Sequence, residues 1–240
     1  MNRLRRWLAP WGDPFARERM RRLRFVLPGW RVLDAGCGDG AMAIRLARRG
    51  CHVLGLTNEP EAAAAARAEA RRLGLADKAA FLVHDLRSGP PPERGFDAAV
   101  CFDVLEHMLD DRSALGNIVA AVRPGGVVGI TVPDRSAPPL WGDRVSPVED
   151  GSHVRAGYSR DELADLLSAA GLGPVEWGSF GGPLVRAATN VWRRLCGMRG
   201  RFATLLRALW LGIMLVACPL DRLVPGRRYE LFVLARRTQE

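Results

Sequence analysis

Between residues 31 and 180, short apolar runs alternate with helical stretches, and this alternation restricts the fold more than any other feature. The apolar runs are 31–35, 51–57, 79–85, 96–102, 125–133 and 173–180. The helical stretches are 41–50, 59–74, 111–122 and 159–171. Parallel strands need a long crossover, usually a helix, between them. The sequence therefore predicts an α/β fold, with helices on both faces of a mostly parallel sheet and ligands at the carboxyl ends of its strands.

The stretch VLDAGCGDG, residues 32–40, predicts where a ligand binds. A buried strand delivers Asp34, and three glycines follow at alternate positions. Glycine allows a tight turn and lets a ligand approach the backbone closely. The nicotinamide fingerprint requires the spacing G-x-G-x-x-G and an acid after the second strand, whereas this chain has G-x-G-x-G and Thr57. A P-loop also requires a G-K-[ST] sequence, which does not follow. Both comparisons disfavour an NAD-dependent oxidoreductase or a P-loop protein.

Four stretches together resemble a class I S-adenosylmethionine-dependent methyltransferase of the small-molecule or lipid type, with a methyltransferase type 11-like domain. They are, in order, VLDAGCGDG, FDAAVCFDVLEHM, RPGG and YSRDELADLLSAAGL. The resemblance covers roughly residues 25–180 and the last strand. It implies a three-layer Rossmann-like fold of seven strands, the last antiparallel and inserted beside the sixth. It also implies S-adenosylmethionine as the cofactor.

By this resemblance, the cofactor binds at the ends of the first four strands. Asp34, Gly36 and Gly38 would surround its methionine part. Asp85 in VHDL would bind the adenine amino group, and Leu86 would supply an adjacent backbone N–H.

Two further strand ends complete the implied cofactor site. Cys101 and Phe102 would line the sulfonium side. The second strand ends in Thr57, where the family usually has an acid that binds both ribose hydroxyls. A hydroxyl carries no charge, so we expect weaker ribose binding unless Asn58 or Glu59 contributes. This departure keeps open a second hypothesis, a methyltransferase-like binding or scaffold protein without catalytic activity.

Methyl transfer depends on positioning and on excluding water, and it needs a base only when the acceptor must lose a proton. The candidate catalytic residues are His107 in DVLEHM and His153 in GSHVRAGY, with Glu106 and Tyr158 as further candidates. Arg155 is a candidate for binding an anionic acceptor group. A nucleic-acid methyltransferase is the weaker alternative, because the D/N-P-P-Y/F motif and the Pro-Cys pair of such enzymes are missing after the fourth strand.

The formal net charge of +9 is concentrated at the two ends of the chain. It is +6 over residues 1–30, −5 over 31–180 and +8 over 181–240. Basic ends predict an anionic partner, such as an anionic membrane surface. The five cysteines include no C-x-x-C pair, which predicts free thiols in the cytoplasm and no metal site. No apolar h-region follows the basic N-terminus, so a secretory signal is disfavoured.

The stretch LLRALWLGIMLVACPL, residues 205–220, is unusually apolar. A spanning helix needs about 20 apolar residues, but only the thirteen positions 208–220 are free of charge. Nearby tryptophans and arginines favour an interfacial helix, while a core helix, a dimer surface and a membrane span stay open.

We expect four parts in the chain: a basic helical segment (1–30), a methyltransferase core (31–180), an apolar and basic helical insertion (181–228) and the last strand (229–240). The acceptor is expected to be small and hydrophobic or lipid-like. The protein is expected in the cytoplasm, peripheral on the inner face of the cell membrane through residues 1–30 and 183–228. The sequence does not predict the oligomeric state.

Overall fold

The computed structural model describes residues 14–198 and 200–239, so part of the predicted basic segment, residues 1–13, lies outside the described residues. The strands are β1 Arg31–Ala35, β2 His52–Thr57, β3 Ala79–Val83, β4 Phe96–Phe102, β5 Val122–Pro133, β6 Leu172–Phe180 and β7 Glu230–Arg237. The helices are α1 Pro14–Arg22, α2 Ala41–Arg48, α3 Pro60–Arg72, α4 Asp111–Ala121, α5 Arg160–Ala169, α6 Pro183–Gly197 and α7 Arg201–Leu220. Short 3-10 turns cover Leu23–Phe25, Leu105–His107 and Asp221–Leu223.

All seven strands form one sheet in the order β3-β2-β1-β4-β5-β7-β6. Strands β1 to β5 are parallel, and β7 runs antiparallel between β5 and β6. The predicted seven-stranded α/β fold with an inserted antiparallel last strand is confirmed. Strand β1 pairs with both β2 and β4, so the chain changes direction across the sheet at this point. Ligands of open α/β sheets bind at such a switch point, beyond the carboxyl ends of the strands.

Two hydrophobic clusters cover the two faces of the sheet. Successive side chains of a strand point to opposite faces, so Val32 and its neighbour Leu33 belong to different clusters. A third cluster joins α1, α6 and α7 near the end of β6, through Phe15, Val185 and Met214. Through this third cluster, the N-terminal helix and the predicted insertion lie against the edge of the sheet where β6 ends and β7 begins.

Helices α6 and α7 form an antiparallel pair that Arg207 holds together. The last carbonyls of a helix have no partner within the helix. The Arg207 side chain is buried, and it donates to the carbonyl of Leu195 at 2.8 and 3.0 Å and to that of Met198 at 2.6 Å. The indole N–H of Trp210 donates to the carbonyl of Ala188 at 3.2 Å. Arg207, the one charged residue in the apolar run 205–220, thus supplies hydrogen bonds to the last carbonyls of α6.

Among the described residues, one helix, Ala203–Leu223, is long and apolar enough to cross a membrane by length and composition. Its face bearing Met214 and Cys218 is buried against the rest of the protein. Leu205, Leu209 and Ile213, spaced four residues apart, are more than half exposed. The helix therefore has one packed face and one exposed apolar face.

Candidate functional site

The carboxyl ends of β1, β2 and β4 bring most of the predicted cofactor residues to one edge of the sheet. In the register of the parallel strands, Asp34 lies beside Gly55 of β2 and Val100 of β4. Thr57 lies two residues beyond Gly55 on β2, and Cys101 directly follows Val100 on β4. Residues that are distant in the sequence therefore meet around the end of β1.

Asp34 is buried, and its Oδ2 atom has no hydrogen-bond partner. Burial raises the pKa of this carboxyl to about 7, while the backbone N–H of Ala43 in the first turn of α2 favours the ionised form. An unpaired buried carboxylate is costly, and a hydrogen-bonded ammonium group would offset that cost. Asp34 is thus suited to hold the amino group of a ligand.

The glycine loop beside Asp34 leaves room for that ligand. Gly36 has a φ of +77°, and a Cβ at this position would overlap the Val104 side chain. Gly38 has a φ of +51°, and a Cβ there would meet nothing within 4 Å. Open space therefore adjoins the backbone at Gly38, four residues after the buried Asp34 with its unpaired oxygen. This arrangement fits the methionine part of S-adenosylmethionine.

Thr57 is buried at the end of β2, and its hydroxyl oxygen accepts a hydrogen bond from the backbone N–H of Glu59 at 3.2 Å. Because the oxygen accepts in this contact, the hydroxyl proton stays available for one further bond. Asn58 and Glu59 are exposed beside it. The position can therefore donate one hydrogen bond, whereas an acid could accept two.

Asp85 follows β3 and forms an ion pair that sequence reasoning did not anticipate. Arg87 donates to both of its carboxylate oxygens, at 2.9 and 2.7 Å, which lowers the pKa of Asp85 to about 2. Arg87 also pairs with Glu149 in the loop that joins β5 to α5. The neighbouring Leu86 is buried, and its carbonyl accepts from the Asn117 amide at 2.8 Å. Asp85 therefore has an ionised carboxylate, and Arg87 links it to Glu149 in the loop between β5 and α5.

The end of β4 leads into the second part of the site. Cys101 is fully buried, which raises the pKa of its thiol well above its usual range. The half-buried Phe102 ring meets Phe232 edge-on. Asp103 is the one non-glycine residue with a positive φ in the described part of the chain, and its carboxylate accepts from the Thr131 hydroxyl at 2.8 Å. This unusual backbone turns the chain away from the sheet into the 3-10 turn Leu105–His107.

A cavity of about 520 Å³ opens beyond β4 and β5, between α1, α6 and the loop 134–158. Its volume is in the range of small-molecule sites. The lining combines apolar or aromatic residues with ionisable ones: Phe15, Leu140, Trp192 and Tyr229 with Arg19, Asp103, Glu106, His107 and His153 among others. Of these, Arg19 and Asp103 were not predicted, because their proximity depends on where α1 docks.

The predicted pair His107 and His153 lies together in this cavity, with ring centroids 4.7 Å apart and the rings nearly perpendicular. The Nδ1 atom of His107 lies 3.0 Å from the Ser152 carbonyl and donates to it. Burial, and then the charge of His107, lower the pKa of His153. The buried Glu106 beside them has no hydrogen-bond partner at either oxygen, and burial raises its pKa to about 8.

Tyr158 and Arg155, the further candidates, have structural partners instead. The Tyr158 hydroxyl donates to Asp111 at 2.7 Å, and the Arg155 guanidinium pairs with the same carboxylate. Neither side chain lines the cavity. Their shared contact fixes the end of the loop 134–158 to α4.

Residues 32–126 match a family model described as a methyltransferase domain. This chain contains a class I S-adenosylmethionine-dependent methyltransferase domain. The matched range covers the glycine loop and β4, where the domain positions Asp34 and His107. S-adenosylmethionine is the cofactor of this family.

Curated relatives of the methyltransferase domain include ubiquinone biosynthesis O-methyltransferases. That of Aeromonas salmonicida (strain A449) is 35% identical over 108 residues, which is 45% of either chain. That of Alkalilimnicola ehrlichii (strain ATCC BAA-1101 / DSM 17681 / MLHE-1) is 35% identical over 134 residues, or 51% of this chain and 53% of the relative. The chain therefore spans about half the length of the curated relatives it matches.

Solved structures similar to the methyltransferase domain cover almost the whole chain. The [4+2]-cyclase SpnF superposes with a TM-score of 0.66 at 25% identity, covering 95% of this chain and 82% of that one. A geranyl diphosphate methyltransferase in complex with S-adenosylmethionine superposes with a TM-score of 0.63 at 19% identity, covering 94% and 85%. The second likeness supports the fold alone.

Proposed function

We propose that this chain transfers a methyl group from S-adenosylmethionine to a hydroxyl oxygen of a small, hydrophobic or lipid-like acceptor. The observation that carries the proposal is the unpaired, buried oxygen of Asp34, in the same glycine-rich loop region as the open backbone at Gly38. This cofactor-like niche and the 520 Å³ cavity both adjoin the end of β4. A cofactor and an acceptor held in these two places would meet near Cys101 and Phe102.

S-adenosylmethionine supplies a methyl carbon on a positively charged sulfur, which keeps the electron pair when the acceptor oxygen takes the methyl group. In our proposal the Asp34 carboxylate binds the cofactor's amino group, and Gly36 and Gly38 let the methionine part lie against the backbone. Cys101 and Phe102 exclude water from the sulfur side, which favours displacement by the acceptor over hydrolysis.

The remaining cofactor contacts are assigned to the ends of β2 and β3. The Thr57 hydroxyl donates one hydrogen bond to a ribose hydroxyl, and the exposed Asn58 supplies a second polar group. The Asp85 carboxylate, kept ionised by Arg87, accepts from the adenine amino group, and Leu86 contributes its backbone N–H. We expect the ribose contacts to contribute less to cofactor affinity than the adenine contacts do.

His107 and His153 are proposed to handle the acceptor's proton. The Ser152 carbonyl fixes the Nδ1–H tautomer of His107, which leaves the Nε2 lone pair as the proton acceptor. The lowered pKa of His153 keeps that ring neutral and able to accept a proton at pH 7. Replacing either histidine by alanine is expected to lower kcat about 10²–10⁴-fold, whereas His52→Ala, an exposed control, is expected to leave it unchanged.

The chemistry of the cavity supports a hydrophobic acceptor. Phe15, Leu140, Trp192 and Tyr229 contribute apolar or aromatic surface, and Arg19 supplies a charge beside Asp103. The relatives named as ubiquinone biosynthesis O-methyltransferases support an oxygen acceptor. The identity of the acceptor is not assigned.

We also propose that the α6–α7 pair docks the enzyme on the inner face of the cell membrane. Leu205, Leu209 and Ile213 are 56%, 60% and 52% exposed on one side of α7. Net charges of +6 over residues 1–30 and +8 over 181–240 would attract anionic lipids. In this proposal residues 31–180 and 229–240 form the catalytic core, residues 181–228 are an insertion and residues 1–30 are a basic segment. Because α6 also lines the cavity through Trp192, an apolar acceptor would pass from the bilayer to the site directly.

A second candidate function is ligand binding, or a reaction other than methyl transfer. Thr57 in place of an acid and the likeness to a [4+2]-cyclase favour it, since a shared fold does not fix the chemistry. Release of S-adenosylhomocysteine, measured with a panel of apolar phenols and alcohols, separates the two functions. Methyl transfer predicts release that depends on the acceptor and is lost in Asp34→Asn. Cofactor binding without release for any oxygen, nitrogen or carboxylate acceptor would support the second function.

A further inference from the structure

We propose that Glu106, His107 and His153 bind a divalent first-row transition-metal cation such as Zn²⁺ within the acceptor cavity. The candidate ligand atoms of these three residues all lie within 4.8 Å of one another. Tetrahedral ligands bound at 2.0–2.1 Å lie about 3.4 Å apart, so small side-chain rotations suffice to close the site. Cation binding does not depend on methyl transfer.

The backbone holds the two segments that carry these ligands side by side. Glu106 and His107 belong to the 3-10 turn after β4, and His153 lies on the loop 134–158. The backbone N–H of Val154 donates to the Glu106 carbonyl at 2.8 Å, and His107 binds the Ser152 carbonyl. Each segment thus fixes the position of the other, so the cluster is preorganised before any cation binds.

Glu106 is the buried acid that a bound cation would allow to ionise. It is 1% exposed, it lines the cavity, and neither of its carboxylate oxygens has a hydrogen-bond partner. An ionised carboxylate is not buried without a paired charge or a metal, because desolvation is too costly. The nearby Arg19 is engaged by Asp103 and Glu230. A cation between Glu106 and the histidines would supply the charge that Glu106 lacks.

The hydrogen bond of His107 is the one that metal-binding histidines usually make. A ligating histidine donates its second N–H to a carbonyl or carboxylate, which fixes the tautomer and the ring orientation. Here Nδ1 donates to the Ser152 carbonyl at 3.0 Å, which leaves the Nε2 lone pair for a cation. The His153 ring stands at 85° to the His107 ring, so the two imidazoles do not stack flat against each other.

Two imidazoles and one carboxylate are a ligand set that suits Zn²⁺ and neighbouring first-row cations, whereas Mg²⁺ and Ca²⁺ prefer oxygen ligands. Three protein ligands also leave at least one coordination position open, as in catalytic zinc sites. Because all three ligands line the acceptor cavity, this position would face it. If the proposed function holds, the acceptor oxygen binds there, the cation lowers its pKa and the proton passes to water, so the histidines act as ligands in the metal-bound enzyme.

The test measures cation binding to the tag-free full chain after treatment with a chelator. Zn²⁺ is titrated by calorimetry, and Co²⁺ is titrated in parallel by visible absorption. We expect one cation per chain and a Zn²⁺-dependent increase in Tm. His153→Ala, Glu106→Gln and His107→Ala should each weaken binding at least tenfold. His52→Ala and His84→Ala are the matched controls, because they replace the other two histidines of the chain, and they should leave binding unchanged.

His153→Ala is the decisive variant, because His153 lies on a loop outside the hydrophobic clusters, whereas Glu106 is buried and its replacement can unfold the protein. No Zn²⁺ or Co²⁺ binding, or binding that survives both His153→Ala and Glu106→Gln, would overturn the proposal. S-adenosylhomocysteine release by the chelated enzyme separates the two ideas. Turnover without cation binding leaves the proposed methyl transfer intact with the histidines as bases, and cation binding without turnover leaves the metal site intact.

Discussion

Arg19 on α1 pairs with Asp103 at the end of β4, and it binds Glu230 at the start of β7 at 2.6 Å. These two strands are separated by β5 in the sheet. The Arg19 guanidinium therefore holds α1 against the carboxyl edge of the sheet by contacting residues at the ends of two strands. Phe15, one turn earlier on α1, fills the third hydrophobic cluster and lines the cavity. The position of α1 thus decides the shape of the acceptor site.

Arg19→Met is expected to lower the free energy of unfolding by about 3 kcal/mol, because it removes a charged partner of the buried Glu230 carboxylate. Urea denaturation measures this loss. Arg112→Met, at an exposed position on α4, is the matched control and should change stability by less than about 0.5 kcal/mol. Equal effects of the two substitutions would show that the Arg19 contacts do not hold α1 in place.

Arg207→Met tests whether the Arg207 side chain on α7 stabilises the C-terminal end of α6. The variant keeps the apolar stem but removes the hydrogen bonds to the carbonyls of Leu195 and Met198. We expect a loss of about 2 kcal/mol in the free energy of unfolding, since hydrogen bonds from a charged donor are the stronger ones. Hydrogen exchange should also speed up at the C-terminal end of α6. Unchanged exchange there would mean that α6 ends stably without this side chain.

The membrane proposal predicts a specific effect of charge on α7. Leu209→Glu combined with Ile213→Glu should weaken co-sedimentation with vesicles of anionic lipid, and high salt should weaken it further. Val175→Glu, at a 54% exposed position on β6, is the control and should bind like the wild type. Equal sedimentation of all three proteins would locate the membrane contact elsewhere or remove it.

Asp34 predicts a pH dependence of stability in the absence of cofactor. Its pKa is about 7 in the folded protein, and an unfolded aspartate has a pKa of about 3.9. The folded state holds the proton more tightly, so this contribution to stability is complete below about pH 4 and is lost as the pH rises through 7. Asp34→Asn removes this dependence. Relative to the wild type, the variant should be more stable at pH 8 than at pH 5 in urea denaturation. A difference that does not vary with pH would mean that Asp34 is not the buried acid described here.

The features that the sequence predicted well are those set by short stretches of chain. The strand that carries Asp34 and the glycines after it lie within nine residues, so the sequence alone is enough to recognise their pattern. The antiparallel last strand was implied by the family resemblance. The strands predicted at 31–35 and 96–102 have the predicted bounds. Other helix and strand ends differ by no more than three residues, as the strand predicted at 79–85 and observed at Ala79–Val83 illustrates.

The features that were missed depend on contacts between distant segments. Glu106 and His107 are adjacent in sequence, but His153 joins them only because the loop 134–158 folds back onto the turn after β4. The prediction of no metal site was based on the cysteine spacing alone. That spacing carries no information about a metal site formed by two histidines and a glutamate. Similarly, Arg207 counted only as a charge within an apolar run, because its partners are carbonyls of another helix.

The most direct test of the account is S-adenosylmethionine binding by wild-type and Asp34→Asn protein, measured by calorimetry at pH 7.5. The account predicts one cofactor per wild-type chain and at least tenfold weaker binding by Asp34→Asn, since the ammonium group loses its charged partner. Gly38→Val should weaken binding as well, while Arg112→Met should not. No binding at millimolar cofactor, or equal affinity of wild type and Asp34→Asn, would contradict the proposed cofactor site.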